Sequence, residues 1–278
     1  MSLSLPIQES TQPMPLCRLP SDQVCWQMQA GFSLVELAVV AAVISLMLGG
    51  LLLSFRTQVE MQRVSNTSKT LELAMEAVIG YAIRNGRIPC PATAASGGTE
   101  QLNSLGVGTL QMCSLFNGFL PARTLGIGPT DAQGYLLDSY GMRIRYSVNN
   151  RRHFSNRPAA LKGEVQTNGF SSNNLEADLR ICSSANGIVS PGSQSDAECG
   201  TGRFLSSDAV LAIYSTGANA ATTGAAAVAS PDEAANYISD RVLVWHAPSN
   251  SPGSEFDDLL IWLSLSSFVA KMTSAGAL

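Results

Sequence analysis

The side chains that enzymes use for acid, base and nucleophilic chemistry are sparse in this chain. Its two histidines, His153 and His246, have no cysteine or carboxylate neighbours at the spacing of metal ligands. The sequence contains no nucleophile elbow, zinc-protease motif, phosphate-binding loop or dinucleotide-binding glycine motif. The glycine pairs within 105–108 and 126–128 lack a third glycine at the required distance, so we interpret them as loop residues. We therefore predict no catalytic residues, no metal and no cofactor.

One pair of adjacent carboxylates, Asp257 and Asp258, could contribute to a calcium site. Such a site needs about six to eight converging oxygen ligands. The alternative is that Ser254 and Asp257, three residues apart, form a capping box at the start of a final helix over 257–272. Acidic residues also stabilise helix amino termini by about 0.3–1 kcal/mol. We favour the helix cap, and metal ligands are not predicted.

The cysteines divide around a long apolar segment. Two of the six precede it, Cys17 and Cys25, and four follow it: Cys90, Cys113, Cys182 and Cys199. No C-x-x-C spacing occurs, which argues against a zinc ribbon or a thioredoxin-type motif. If the apolar segment crosses a membrane, the four downstream cysteines lie in an oxidising space, and their even number fits two disulfides. Because short loops close most readily, we favour Cys90–Cys113 and Cys182–Cys199; four free buried thiols are the alternative.

The apolar segment over 32–55 carries a single charged residue, Glu36, and ends at Arg56. At about 1.5 Å per residue, a helix of this length covers a hydrocarbon core of about 30 Å. A carboxylate carried to the bilayer centre costs about 2.5–3.5 kcal/mol, and less near the interface, so we expect Glu36 to have a function. The alternative is that it lies at the headgroup level without one. A secretory signal is disfavoured because the apolar run is too long and no convincing cleavage site follows it.

The overall charge argues against a nucleic-acid-binding protein. The chain has 278 residues and a formal net charge of −4, and it has no block of lysine or arginine. Electrostatic binding to phosphates needs a basic face that displaces counterions. The length allows one ordinary domain with a sizeable core, or a small pair.

The apolar segment is predicted to begin a much longer helix. Leu71, Met75, Val78 and Ala82 follow one another at intervals of four, three and four, which places them on one helix face. The dipeptide at 85–86, Asn-Gly, predicts the end of this helix.

Beyond this helix, the sequence predicts short strands in a loop-rich region. Alternating or apolar runs predict strands over 142–148, 209–214 and 241–245. Polar and small residues predict loops over 149–175, 183–203 and 217–230. The final helix over 257–272 would pack on the sheet.

The run from Gly31 to Glu36, Gly-Phe-Ser-Leu-Val-Glu, resembles the processing site of type IV prepilins and type II secretion pseudopilins. The resemblance implies that a prepilin peptidase cuts between Gly31 and Phe32, and that the same enzyme N-methylates Phe32. It also implies that Glu36, as the fifth residue of the mature chain, matches the glutamate of that family. Because the Glu36 carboxylate and the new Phe32 ammonium are both costly in lipid, we expect them to pair between adjacent subunits and to set the register in a filament.

Later segments look like a large group of prepilin-type proteins. They include 86–91, 118–126, 214–217 and 256–258, together with Asn236. The resemblance implies an α+β fold in which a long spine helix carries a small antiparallel sheet, followed by a loop-rich part with a terminal helix. It implies three regions: a leader over 1–31, a helix over 32–86 that is transmembrane over about 32–55, and a head over 87–278.

The function implied is that of a minor pilin or pseudopilin. The chain would be inserted once in the inner membrane lipid with its head in the periplasm, and would then join other pilin or pseudopilin subunits in a periplasmic or cell-surface filament. An adhesive or ligand-binding module displayed on such a filament is the main alternative. An anchored envelope enzyme is the least favoured one.

Overall fold

The computed structural model describes the chain from residue 33 onward, except 105–110, 150–159, 170–176, 189–198, 221–229 and 239–240. The side chains at 48–56, 104, 111–112, 160–161 and 164 are likewise not described. The chain divides into two compact units, Met1–Leu53 and Ser54–Leu278. The predicted leader and the predicted cleavage residues, Gly31 and Phe32, lie outside the described residues.

Helix α1, Leu34–Asn85, is 52 residues long. It ends where the sequence predicted, because Gly86 adopts a φ of 65°, a left-handed conformation that glycine reaches without strain. The Asn85 side-chain amide donates to the carbonyl oxygen of Tyr81 at 2.8 Å and satisfies one acceptor of the last turn. Within the described residues, no helix combines the length and hydropathy needed to cross a membrane. The transmembrane segment stays a prediction.

The second unit contains the remaining elements. Strands β1 to β4 are Leu102–Ser104, Gln111–Cys113, Asn117–Phe119 and Arg145–Val148, and helix α2, Ala122–Leu125, lies between β3 and β4. Helix α3, Ala160–Asn168, precedes β5, Leu179–Cys182, and β6, Phe204–Ser215. Helix α4, Pro231–Tyr237, is followed by β7, Val242–Val244, β8, Leu259–Ser264, and helix α5, Leu265–Ser274.

Strand β6 is the centre of a six-stranded sheet. It pairs antiparallel with β4, β5 and β8, while β3 extends the sheet beyond β4. Strand β7 pairs with β5 and is parallel to it. Strands β1 and β2 form a separate two-stranded sheet. The second unit is therefore a mixed α+β structure built around a largely antiparallel sheet, as the sequence predicted.

The apolar face of α1 predicted from sequence packs into the main core. Leu71, Val78 and Ala82 are 1%, 0% and 0% exposed, and they belong to the same hydrophobic cluster as Tyr146 of β4 and Phe268 of α5. Met75 is only partly buried and packs against the cluster. The helical periodicity was therefore a correct guide to which side of α1 contacts the sheet.

Both favoured cysteine pairs are disulfide-bonded in the structure. Cys90 joins Cys113 at the end of β2, and Cys182 of β5 joins Cys199, with Cα–Cα distances of 5.2 and 5.3 Å. All four residues are buried. The alternative of four free thiols is wrong for these residues.

The predicted final helix over 257–272 is wrong in its first half. Residues Leu259–Ser264 form β8, and α5 begins only after Ser264, whose side chain accepts a hydrogen bond from the Ser267 backbone. Leu260 and Leu263 of β8 are both buried. Their spacing of three residues would also place them on one face of a helix, which is why the sequence favoured a helix there. The edge of β6 supplies backbone hydrogen bonds that the local sequence could not reveal.

Two short helices also differ from the predicted secondary structure. Helix α3, Ala160–Asn168, lies in the stretch 149–175 that we expected to be a loop. Helix α4 was not predicted, although Ser230 caps it by accepting from the Asp232 backbone at 3.2 Å and Pro231 occupies its first turn. The three predicted strands exist with shifted ends, and β6 is longer than expected.

Candidate functional site

Glu36 lies in the first turn of α1 and is exposed. The helix start is fixed by Ser33, whose carbonyl accepts from the Leu37 backbone at 3.1 Å and whose hydroxyl accepts from the Val35 backbone at 3.3 Å. A carboxylate in a first turn is stabilised by the helix dipole, by about 0.3–1 kcal/mol. Its apolar neighbours Leu34 and Leu37 are 87% and 64% exposed. This end of α1 therefore presents one acid within an uncovered apolar surface.

A second group of acids lies in the head. Glu233 belongs to α4, and Asp257 and Asp258 immediately precede β8. One carboxylate oxygen from each of the three residues lies within 4.8 Å of the other two. Glu233 is 0% and Asp258 1% exposed, while Asp257 is half-buried. We call these three residues the acidic cluster.

Asn236 holds the acidic cluster to the surrounding elements. Its side-chain nitrogen donates to Asp258 Oδ2 at 2.7 Å and to the Val244 carbonyl at 3.0 Å, and its Oδ1 accepts from the Val244 backbone at 2.8 Å. The Tyr214 hydroxyl donates to the Asn236 carbonyl at 3.0 Å. Asn236 therefore connects α4 to β7 and Asp258 through its side chain, and to β6 through its backbone carbonyl.

The segment after β6 supplies further hydrogen bonds. Asp257 Oδ2 accepts from the backbone N–H groups of Ala218 and Asn219 at 2.9 and 3.3 Å. The Asn219 side chain donates to both Glu233 oxygens, at 2.8 and 2.9 Å. Gly217 has a φ of 67°, and a Cβ there would lie 2.0 Å from Asp257 Oδ1. Glycine is therefore required for the close approach of this segment to Asp257.

The acids of the cluster are held in an environment that disfavours their charged forms. The pKa of Asp258 is raised to about 8, mainly by burial and also by the negative charges of Glu233 and Asp257. Burial also raises the pKa of Glu233 and of Asp257, and Glu60 and Asp138 add repulsion at Asp257. Because the three carboxylates are close together and largely buried, ionising all of them at once is costly.

The structure corrects the role predicted for Asp257. Because β8 rather than a helix follows it, Asp257 caps no helix, and the predicted capping box with Ser254 is wrong. Glu233 was missed because it lies far from Asp257 in the sequence and no motif connects the two. The prediction that the chain has no catalytic residues and no metal stays a prediction.

Five residues from the head segments on which the sequence-based resemblance rests meet at the acidic cluster. Tyr214 and Gly217 contribute from the end of β6 and the segment after it, Asn236 from α4, and Asp257 and Asp258 from the approach to β8. These positions could be selected from the sequence, but their proximity in space could not.

Comparison with curated proteins and with solved structures found no match. Residues 26–52 match the family described as the prokaryotic N-terminal methylation motif. The matched stretch contains Gly31, Phe32 and Glu36. The chain therefore carries the amino-terminal signature of type IV pilins and pseudopilins.

Proposed function

We propose that this chain is a structural subunit, a minor pilin or pseudopilin, of a type IV pilus or a type II secretion filament. The observation that carries the proposal is the methylation motif matched at residues 26–52. In this proposal a prepilin peptidase removes residues 1–31 and methylates Phe32. The mature chain then assembles with other pilin or pseudopilin subunits through its amino-terminal helix.

The exposed apolar side chains of α1 support assembly through this helix. Leu34, Leu37, Ile44 and Leu46 are 87%, 64%, 50% and 78% exposed. Burying apolar surface contributes about 25 cal/mol per Å², so a helix of this kind gains stability when neighbouring helices cover it. We propose that residues 32–55 are held in the inner membrane before assembly, with the head in the periplasm. Lipid then covers the same side chains that helices cover in the filament.

The proposed role of Glu36 follows from charge. Cleavage creates an ammonium group at Phe32, and both this group and the Glu36 carboxylate are costly in an apolar environment. Pairing between adjacent subunits neutralises both charges. Hydrophobic burial would supply most of the affinity, and the charge pair would set the register.

Processing predicts a specific mature terminus. In cells that contain a prepilin peptidase, mass spectrometry should show that the membrane-bound protein begins with N-methylphenylalanine at Phe32. Replacing Gly31 by a bulky residue should leave the leader attached, because the peptidase site would be blocked. A native protein that keeps residues upstream of Phe32, or that is cut elsewhere, would overturn the proposal.

Glu36→Ala should leave insertion and cleavage intact but reduce incorporation into filaments at least about tenfold. The reason is that the Phe32 ammonium would remain unpaired, and every 1.4 kcal/mol lost is a factor of about ten. Immunoblots of sheared filaments, normalised to the membrane fraction, measure this effect. Glu72→Ala, which removes an exposed acid from the same helix, is the matched control. Equal incorporation of both variants would show that the charge pair is not needed.

A further inference from the structure

The spacing of the acidic cluster suits a single bound cation. One oxygen each from Glu233, Asp257 and Asp258 lies within 4.8 Å of the others. Two ligands of one calcium ion, each about 2.3–2.6 Å from it, can be at most about 4.6–5.2 Å apart. The spacing of the three oxygens is therefore close to that of the ligands of one ion, and small side-chain adjustments would bring all three within bonding distance.

Two carboxylate oxygens of the cluster have no hydrogen-bond donor in the described part of the chain. Asp258 Oδ1 has none, although Asp258 is only 1% exposed and its Oδ2 is bonded to Asn236. Asp257 Oδ1 is also buried without a donor. Buried polar atoms are nearly always satisfied, so an acceptor without a donor on a buried carboxylate requires a cation, a proton or a water molecule beside it.

In the part of the chain that the structure describes, no ion pair neutralises an acid of the cluster. Among the described residues, the ion pairs join Arg87 to Glu100, Arg143 to Asp131, Arg241 to Asp178 and His246 to Asp232, and none includes a cluster acid. The positive charge of Arg145 lowers the pKa of Asp258, but its guanidinium donates to the Tyr214 hydroxyl and to Asn117. Glu60 and Asp138 add negative charge beside Asp257.

We propose, contrary to the sequence-based prediction of no metal, that Glu233, Asp257 and Asp258 bind a calcium ion. The donors are all carboxylate oxygens, which hard cations prefer, whereas zinc and copper sites are built mainly from histidine and cysteine. Calcium tolerates irregular oxygen geometry, unlike magnesium, which requires a near-ideal octahedron. The ion would join α4 to the segment before β8, and through Asn219 to the segment after β6. This inference does not depend on the proposed filament function.

A shared proton is the competing explanation. The raised pKa of Asp258 means that this carboxyl could hold a proton and remain neutral without any metal. The two explanations predict different responses to calcium. A cation site gains stability when calcium is added, whereas a protonated acid gains none.

Thermal unfolding distinguishes a bound cation from a shared proton. The full chain is studied in detergent after a chelator has removed any metal. Calcium chloride should raise the unfolding midpoint by about 5–10 °C when its concentration is a hundred times the dissociation constant. Isothermal titration calorimetry should show one calcium ion per chain. Magnesium should bind at least about tenfold more weakly.

Asp258→Asn and Glu233→Gln should each abolish the calcium-dependent rise, while the surface variant Glu72→Gln should keep it. If Asp258→Asn fails to fold, Asp257→Asn, at a half-buried position, provides the same test and should weaken calcium binding at least about tenfold. No rise in the wild-type protein would overturn the inference. Calcium binding that persists unchanged in the cluster variants would also overturn it, because the ion would then be held elsewhere.

Discussion

Glu100→Gln should lower the free energy of unfolding by about 3–5 kcal/mol, because it leaves a buried arginine without its counter-charge. The Arg87 and Glu100 side chains are 9% and 13% exposed. Arg87 donates to both Glu100 oxygens, at 2.7 and 2.8 Å, and to the Tyr81 hydroxyl at 2.7 Å. Glutamine keeps the shape of glutamate, so the variant removes the charge and one hydrogen-bond acceptor without creating a cavity.

The same glutamate connects the end of α1 to the following loop. Tyr81 of α1 donates to Glu100 Oε1 at 2.9 Å, and the Cys90 backbone donates to Oε2 at 3.0 Å. Urea unfolding of the full chain in detergent, followed by tryptophan fluorescence, measures the effect. Glu72→Gln, at an exposed position of α1, should change the free energy of unfolding by less than about 0.5 kcal/mol. Equal stability of the two variants would show that Arg87 is solvated when Glu100 is neutral.

The difference between wild type and Glu100→Gln should depend on pH. Burial tends to raise the pKa of Glu100, but hydrogen bonds from Arg87 and from the Cys90 N–H outweigh it and hold the pKa below the usual 4.5. A carboxyl with a lowered pKa in the folded state stabilises the protein above about pH 4.5, and this contribution is lost as the pH falls through the folded-state pKa. The stability gap should therefore be full at pH 7 and should narrow below pH 4.5. A gap that stayed constant down to pH 3 would contradict this mechanism.

Removing the Cys90–Cys113 disulfide by the double change Cys90→Ala and Cys113→Ala should destabilise the chain by about 3 kcal/mol. The bond spans 23 residues, and closing a loop of this length restricts the unfolded chain by about that amount. The Cys182–Cys199 bond spans 17 residues, so its removal should cost nearly the same.

The same unfolding measurement tests both disulfides. Wild-type protein treated with a reductant is the control, because it loses both bonds without any substitution. It should be less stable than either double variant. Unchanged stability in the Cys90 and Cys113 variant would show that neither loop closure nor the packing of these buried residues contributes to stability.

Features set by neighbours in the sequence were predictable. The stripe Leu71, Val78 and Ala82 identified the buried face of α1, because a helix repeats every 3.6 residues whatever it packs against. Gly86 ended the helix through its own backbone freedom. The methylation motif at residues 26–52 is likewise a linear signal, which a peptidase would read from the chain itself.

Features set by distant partners were not predictable. The buried pair Leu260 and Leu263 suits a helix as well as a strand, and only the open edge of β6 decided in favour of β8. The acidic cluster depends on folding in the same way. Glu233 approaches Asp257 and Asp258 only when α4 lies against the segment before β8, where Asn236 of α4 bonds to Asp258. The sequence by itself determined the amino-terminal signature, the long helix and the favoured cysteine pairs, through local periodicity, backbone preference and loop length. Tertiary structure decided the strand at β8 and the grouping of three acids, because both require contacts between residues far apart in the chain.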